Sequence, residues 1–188
     1  MNPVFTLQWS EFLMARRLQA ELRPKSNGFS VLIPTSRQER GIDLAIIRRM
    51  PKGKTRVVTV QVKASRVYTP KIPKRETTRR YQFNTWFNRF KVPREADFFL
   101  LVGIYPLNQS ESKKTYYEDC TILFDFKEMQ DFMSSCKTSK GRPDAMFGFG
   151  FDDKKNIYRN RGDKKLRDKN FAPYLLENRI KLIKERLV

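Results

Sequence analysis

The sequence predicts an α/β fold on three observations: an amphipathic helical stretch near its start, two short aliphatic runs parted by turn residues, and a nearly continuous apolar run at Ala96–Tyr105. At 188 residues the chain suits a single domain, long enough to bury a substantial core. Hydrophobic residues make up 39% of it and include 15 Phe, so a folded interior is expected even though 31% of residues are charged.

Taken in order, Phe5 to Leu22 has helical spacing, and Pro24 with Asn27-Gly28 ends it. One edge of its apolar stripe runs Leu7, Glu11, Met14, Ala15, Leu18, Leu22, which sets a carboxylate in an otherwise apolar row. Buried there, Glu11 needs a lysine or a metal ion as partner; at the stripe's edge it simply reaches water. Glu21 reads as a solvated position with Arg17 and Lys25 as helical neighbours. Three strands follow as a meander, over Phe29–Pro34, Gly41–Arg48 and Arg56–Ser65, with Pro51, Lys52 and Gly53 as turn residues between the second and third.

From Arg66 to Arg80 the sequence turns basic, and Pro70 and Pro73 make it a loop. Tyr81–Phe90 predicts a strand running into a short helix or turn, in which Trp86 and Phe87 either stack on bases or pack in the core. Ala96–Tyr105 is the central strand, covered on both faces. Beyond it, Cys120–Phe124 is a further strand, Phe126–Met133 a short helix, and Gly141–Phe151 a late hairpin or irregular cover. Lys154–Lys169 predicts a second exposed positive segment, and Pro173 opens a last helix with the stripe Leu176, Ile180, Ile183, Leu187, which suits either the core or a dimer interface.

The formal charge of +19 exceeds what solubility requires and points to a polyanionic partner. Nucleic acid is favoured over a membrane, because the bases do not line one long amphipathic helix. With no histidine in the chain, His-based triads, HNH-type nucleases and H-E-x-x-H proteases are excluded. The two cysteines, Cys120 and Cys136, make neither a disulfide framework nor a zinc site. No secretory signal pattern opens the sequence and Phe98–Leu107 is too short to span a bilayer, so a soluble, cytoplasmic protein is expected.

Strand alternation gives the candidate site. Val58, Val60 and Val62 share one face, and Thr59, Gln61 and Lys63 share the other; if the polar faces of the two strands coincide, Asp43, Gln61 and Lys63 converge. Asp43 supplies a hard oxygen for Mg²⁺ or Mn²⁺, Gln61 an amide oxygen and Val62 its backbone carbonyl. Lys63 would orient the attacking water and counter charge developing at phosphorus. Glu11 would bind the metal through water or hold Lys63. The plainer alternative is a surface salt bridge between Asp43 and Lys63. Phosphate contacts are expected from Arg66, Lys71, Lys74, Arg75, Arg79 and Arg80, with Arg89, Lys164 and Lys165 beyond them.

With Ser10-Glu11-Phe12-Leu13, Gly41-Ile42-Asp43-Leu44 and Gln61-Val62-Lys63-Ala64-Ser65, the chain resembles the PD-(D/E)xK nuclease superfamily over about its first hundred residues. The resemblance implies a restriction-endonuclease-like core of about 1–135, a central mixed sheet flanked by helices, with a basic extension and helix over about 136–188. It also implies magnesium dependence and endonucleolytic hydrolysis of DNA, for which a homodimer would suit the cutting of both strands; RNA is the less favoured partner, in a third reading as an RNA-binding structural protein of a larger particle. Glutamine stands where the motif usually has glutamate, which removes one negative charge from the metal site. The alternative is therefore an inactive relative that binds nucleic acid without cutting it.

Overall fold

The structure, a computed structural model, describes residues 9–22, 28–34, 41–68, 83–107, 116–138, 140–152, 154–161 and 169–188. Its centre is a mixed five-stranded sheet of β1 (Phe29–Leu32), β2 (Leu44–Arg49), β3 (Thr55–Arg66), β5 (Phe98–Leu107) and β6 (Tyr116–Asp125) in the order β1-β2-β3-β5-β6. Only the β3–β5 pair is parallel; the others are antiparallel. The expected meander β1-β2-β3 is present, and the apolar run forms β5, an interior strand between β3 and β6. The mixed sheet flanked by helices is thus the architecture observed.

Two cores lie on opposite faces of this sheet. On one, α1 (Trp9–Leu22) and α3 (Leu176–Arg186) lay Met14, Leu18, Leu22, Leu176, Ile183 and Leu187 against Val58, Val60, Val62, Phe98, Leu100 and Val102. The C-terminal stripe is therefore core, as its spacing allows, with Ile180 packed at the margin. It starts later than Pro173, which sits in a 3₁₀ turn over Ala172–Tyr174 before the helix proper.

The other face is aromatic. Phe99 and Leu101 of β5 and Ile122 and Phe124 of β6 meet α2 (Phe126–Ser134), together with a small sheet of β4 (Phe83–Asn84), β7 (Phe149–Phe151) and β8 (Ile157–Arg159) in the order β4-β7-β8. A capping box starts α2: the Asp125 carboxylate accepts from the Glu128 N–H at 2.8 Å, and the Glu128 carboxylate from the Asp125 N–H at 3.0 Å. Such a cap contributes about 1 kcal/mol.

Several elements differ from expectation for tertiary reasons. Residues 85–90 form no helix; Thr85 and Phe87 donate to the Phe149 and Phe147 carbonyls, each at 2.8 Å, and hold the segment extended along 147–149. Lys154–Lys169 is not simply an exposed positive run, because it contains β8, whose Ile157 and Arg159 are buried. Arg159 is held by the Ser135 hydroxyl and carbonyl and by the Cys136 sulfur at 2.9 Å, over the Phe132 ring. A cation is favoured there because α2 presents its carbonyl end. Arg17 reaches across to Asp119 and, at 2.8 Å, to Glu177. No described helix is long and apolar enough to cross a membrane.

Candidate active site at the end of strand β2

The site lies where β2 and β3 part. Antiparallel pairing runs from Arg49 opposite Thr55 to Leu44 opposite Val60, where the ladder ends. Asp43 donates its N–H to the Val60 carbonyl at 2.9 Å, but the strand then leaves the ladder. In place of backbone, the Asp43 Oδ2 accepts the Val62 N–H at 2.7 Å. In such a pair the carbonyl of a residue points to the same side as its N–H, so the Val62 carbonyl also faces the gap left by β2.

Gly41 explains why the chain can turn there. It has φ +81, and a Cβ at that position would lie 2.4 Å from the Pro93 Cβ, so only glycine combines this backbone with that contact. The same imagined atom would sit 3.9 Å from the Gln61 Nε2, which places the turn directly over Gln61.

Paired strand residues share a face. Gln61 pairs with Phe99 and Lys63 with Leu101, so both belong to the aromatic side, and Asp43 meets the same stretch of β3 from its edge through the bond to the Val62 N–H. Asp43 thus lies beside the strand that carries Gln61 and Lys63, near enough for the Lys63 charge to act on its carboxyl. Lys63 is exposed, whereas Gln61 is 6% exposed. The Gln61 Oε1 is buried and accepts no hydrogen bond from the described residues, a state that typically costs about 1–3 kcal/mol. Burial raises the Asp43 pKa above its ordinary value, against the opposing effects of the Val62 N–H and the Lys63 charge.

These features fit a small hard cation. The available donors are oxygens: the Asp43 carboxylate, the orphaned Gln61 amide and the Val62 carbonyl, the set that magnesium and manganese favour. A cation would satisfy Gln61 Oε1 and compensate the burial of Asp43. One carboxylate with an amide is nevertheless a weakly charged set, and no group of three or more acidic or thiol side chains gathers anywhere among the described residues.

Glu11 is half-buried on α1, which covers the Val60–Val62 face, opposite to that of Gln61 and Lys63. Of the expected phosphate contacts, Arg66 at the end of β3 and Arg89 are exposed. Lys71, Lys74, Arg75, Arg79, Arg80, Lys164 and Lys165 lie outside the described residues. The ends of the first basic segment are fixed, since Tyr68 and Asn84 exchange two backbone hydrogen bonds of 2.8 Å.

Sequence reasoning missed Ser65. It follows Lys63 on the same face, is buried, and accepts the Trp86 N–H at 2.8 Å. The same i+2 alternation that joined Gln61 to Lys63 extends to it. No protein family, curated protein or solved structure matches the chain.

Proposed function

We propose that this chain is a metal-dependent DNA endonuclease that hydrolyses phosphodiester bonds at Asp43, Gln61 and Lys63. The observation that carries the reading is the orphaned, buried Gln61 Oε1 beside a half-buried carboxylate, with an exposed lysine on the same strand face. The bound ion would supply Lewis-acid charge and a water of lowered pKa. Asp43 and Gln61 would hold it, with the Val62 carbonyl as a further oxygen. Lys63 is the group placed to orient the attacking water and to counter the charge that builds on the phosphoryl oxygens. The excess of basic residues, Arg66 and Arg89 among those exposed, supports binding to the phosphate backbone.

The test is cleavage of plasmid and linear DNA by the purified chain in Mg²⁺ or Mn²⁺ and in chelator. Cutting that needs metal and is lost in Lys63→Ala is the expected result; equal cutting by that variant sinks the assignment. A second reading, a nuclease-like protein that holds DNA without cutting it, draws on the missing carboxylate at Gln61. It predicts salt-sensitive binding with no metal uptake by calorimetry and no product.

A further inference from the structure

Segment 83–90 carries four aromatic side chains, and three of them are absorbed by packing. Phe83 stacks near Tyr105 at 5.0 Å, Phe87 on Phe147 at 5.1 Å, and Phe90 meets Phe99 at 6.1 Å. Trp86 is different: it is partly exposed, and no ring or cation among the described residues stacks on it. The cause is alternation in an extended segment. Thr85 and Phe87 turn toward the aromatic core, which leaves Trp86 on the opposite side of the chain.

The backbone that carries this indole is held beside Ser65. Asn84 bridges to Tyr68, two residues past the end of β3, and the Trp86 backbone N–H donates to the Ser65 hydroxyl, two residues beyond Lys63. Two strand residues span roughly 6.6 Å, close to one nucleotide step along a nucleic-acid backbone. Gly103 lets the segment come so close, because a Cβ there would stand 2.6 Å from the Thr85 Cγ2. Arg66, next to Ser65 on β3, and Arg89, three residues beyond Trp86, are both exposed. An aromatic face amid positive charge, adjacent to a phosphate-directed lysine, is the combination that holds unpaired bases. In a blunt duplex the bases are stacked inside and offer no face to a side chain.

We infer that Trp86 is a stacking platform for an unpaired base next to the scissile phosphate, so that the substrate is single-stranded, flapped or frayed nucleic acid rather than intact duplex. The inference rests on the nuclease reading for the word "scissile", but its test reads binding alone. In chelator, Trp9→Phe protein retains Trp86 as its only tryptophan; its fluorescence should be quenched by a single-stranded oligonucleotide and by a flapped duplex, and little by a blunt duplex. Trp86→Ala should weaken binding of the single strand and the flap about tenfold, the weight of one base stacked on an aromatic side chain. Blunt-duplex affinity should stay within twofold, and Trp86→Phe should restore most of the loss. Equal loss on all three ligands, absence of quenching, or failure of phenylalanine to rescue a folded variant would overturn the platform. Preserved Trp86-dependent selectivity without cleavage in any metal would support the platform while removing the nuclease reading.

Discussion

The two faces of the central sheet are built differently. On one, two helices cover aliphatic strand residues, and from Val58 to Val62 every second position is a buried valine. On the other, buried rings fill the interior under one helix, three short strands and extended loops, and the strand face ends in Gln61, Lys63 and Ser65. Helices seal a face along its whole length. Irregular cover stops short, and the polar residues sit where it stops. The polar end of β3 therefore depends on how the aromatic side is closed, and only indirectly on the helical side.

The largest effects should come from the cores themselves. Phe149→Ala removes a fully buried ring that contacts Phe132, Phe147 and Phe171, and should cost about 3–5 kcal/mol. Leu18→Ala on the helical face should cost about 2–5 kcal/mol. Denaturant unfolding measures both. The comparison is sharpened below their melting temperatures: Phe149→Ala should also weaken nucleic-acid binding, because the Phe149 backbone holds Thr85 and hence Trp86, whereas Leu18→Ala should bind as the parent does. Equal binding defects in the two variants would break the proposed division between faces.

Lys63→Ala comes next and should separate chemistry from packing. Loss of a charge-stabilising group of this type lowers turnover about 10²–10³-fold. Lys63 is exposed, so the melting temperature should hardly move. A large drop in thermal stability would instead make it a structural residue.

How much of this could be read in the sequence follows from the range of the interactions. That Gln61 and Lys63 share a face was legible because strand alternation fixes it over two positions, whereas the approach of Asp43 depends on where β2 leaves the ladder. The meander and the apolar β5 were legible for the same reason. The crossing of 85–90 over Ser65 was not, since it depends on pairing with residues 147–149, more than fifty positions away. Arg159 read as part of a charged loop because composition cannot announce that a helix end and a sulfur will receive a buried guanidinium. Arg17 likewise left its helical neighbours for partners on β6 and α3.

A smaller effect tests whether the orphaned amide marks a cation site. Gln61→Glu adds the missing negative charge, and Mg²⁺ affinity by calorimetry should tighten about tenfold, or 1.4 kcal/mol. Without metal the same variant should melt lower than the parent, because a second carboxylate beside Asp43 is repelled, and Mg²⁺ should restore it. An unchanged affinity would detach Gln61 from any metal role and favour the binding-only reading.

The smallest effect is the pH dependence of Asp43, and its sign is fixed by burial. The carboxyl pKa is raised above its ordinary 3.8, so the folded chain keeps this proton to higher pH than the unfolded chain does. Stability should therefore fall as pH rises from about 3.8 through the raised value, with the cost fully present above it. Asp43→Asn retains an acceptor for the Val62 N–H and carries no charge, so it should lack that slope. Metal reverses the balance, because only the ionised carboxylate is a ligand. Mg²⁺ should raise the melting temperature of the parent above this window, raise it progressively less as the solution is acidified, and leave Asp43→Asn unshifted throughout. The same Mg²⁺-induced shift in both proteins would place the ion away from Asp43 and so away from the end of β2.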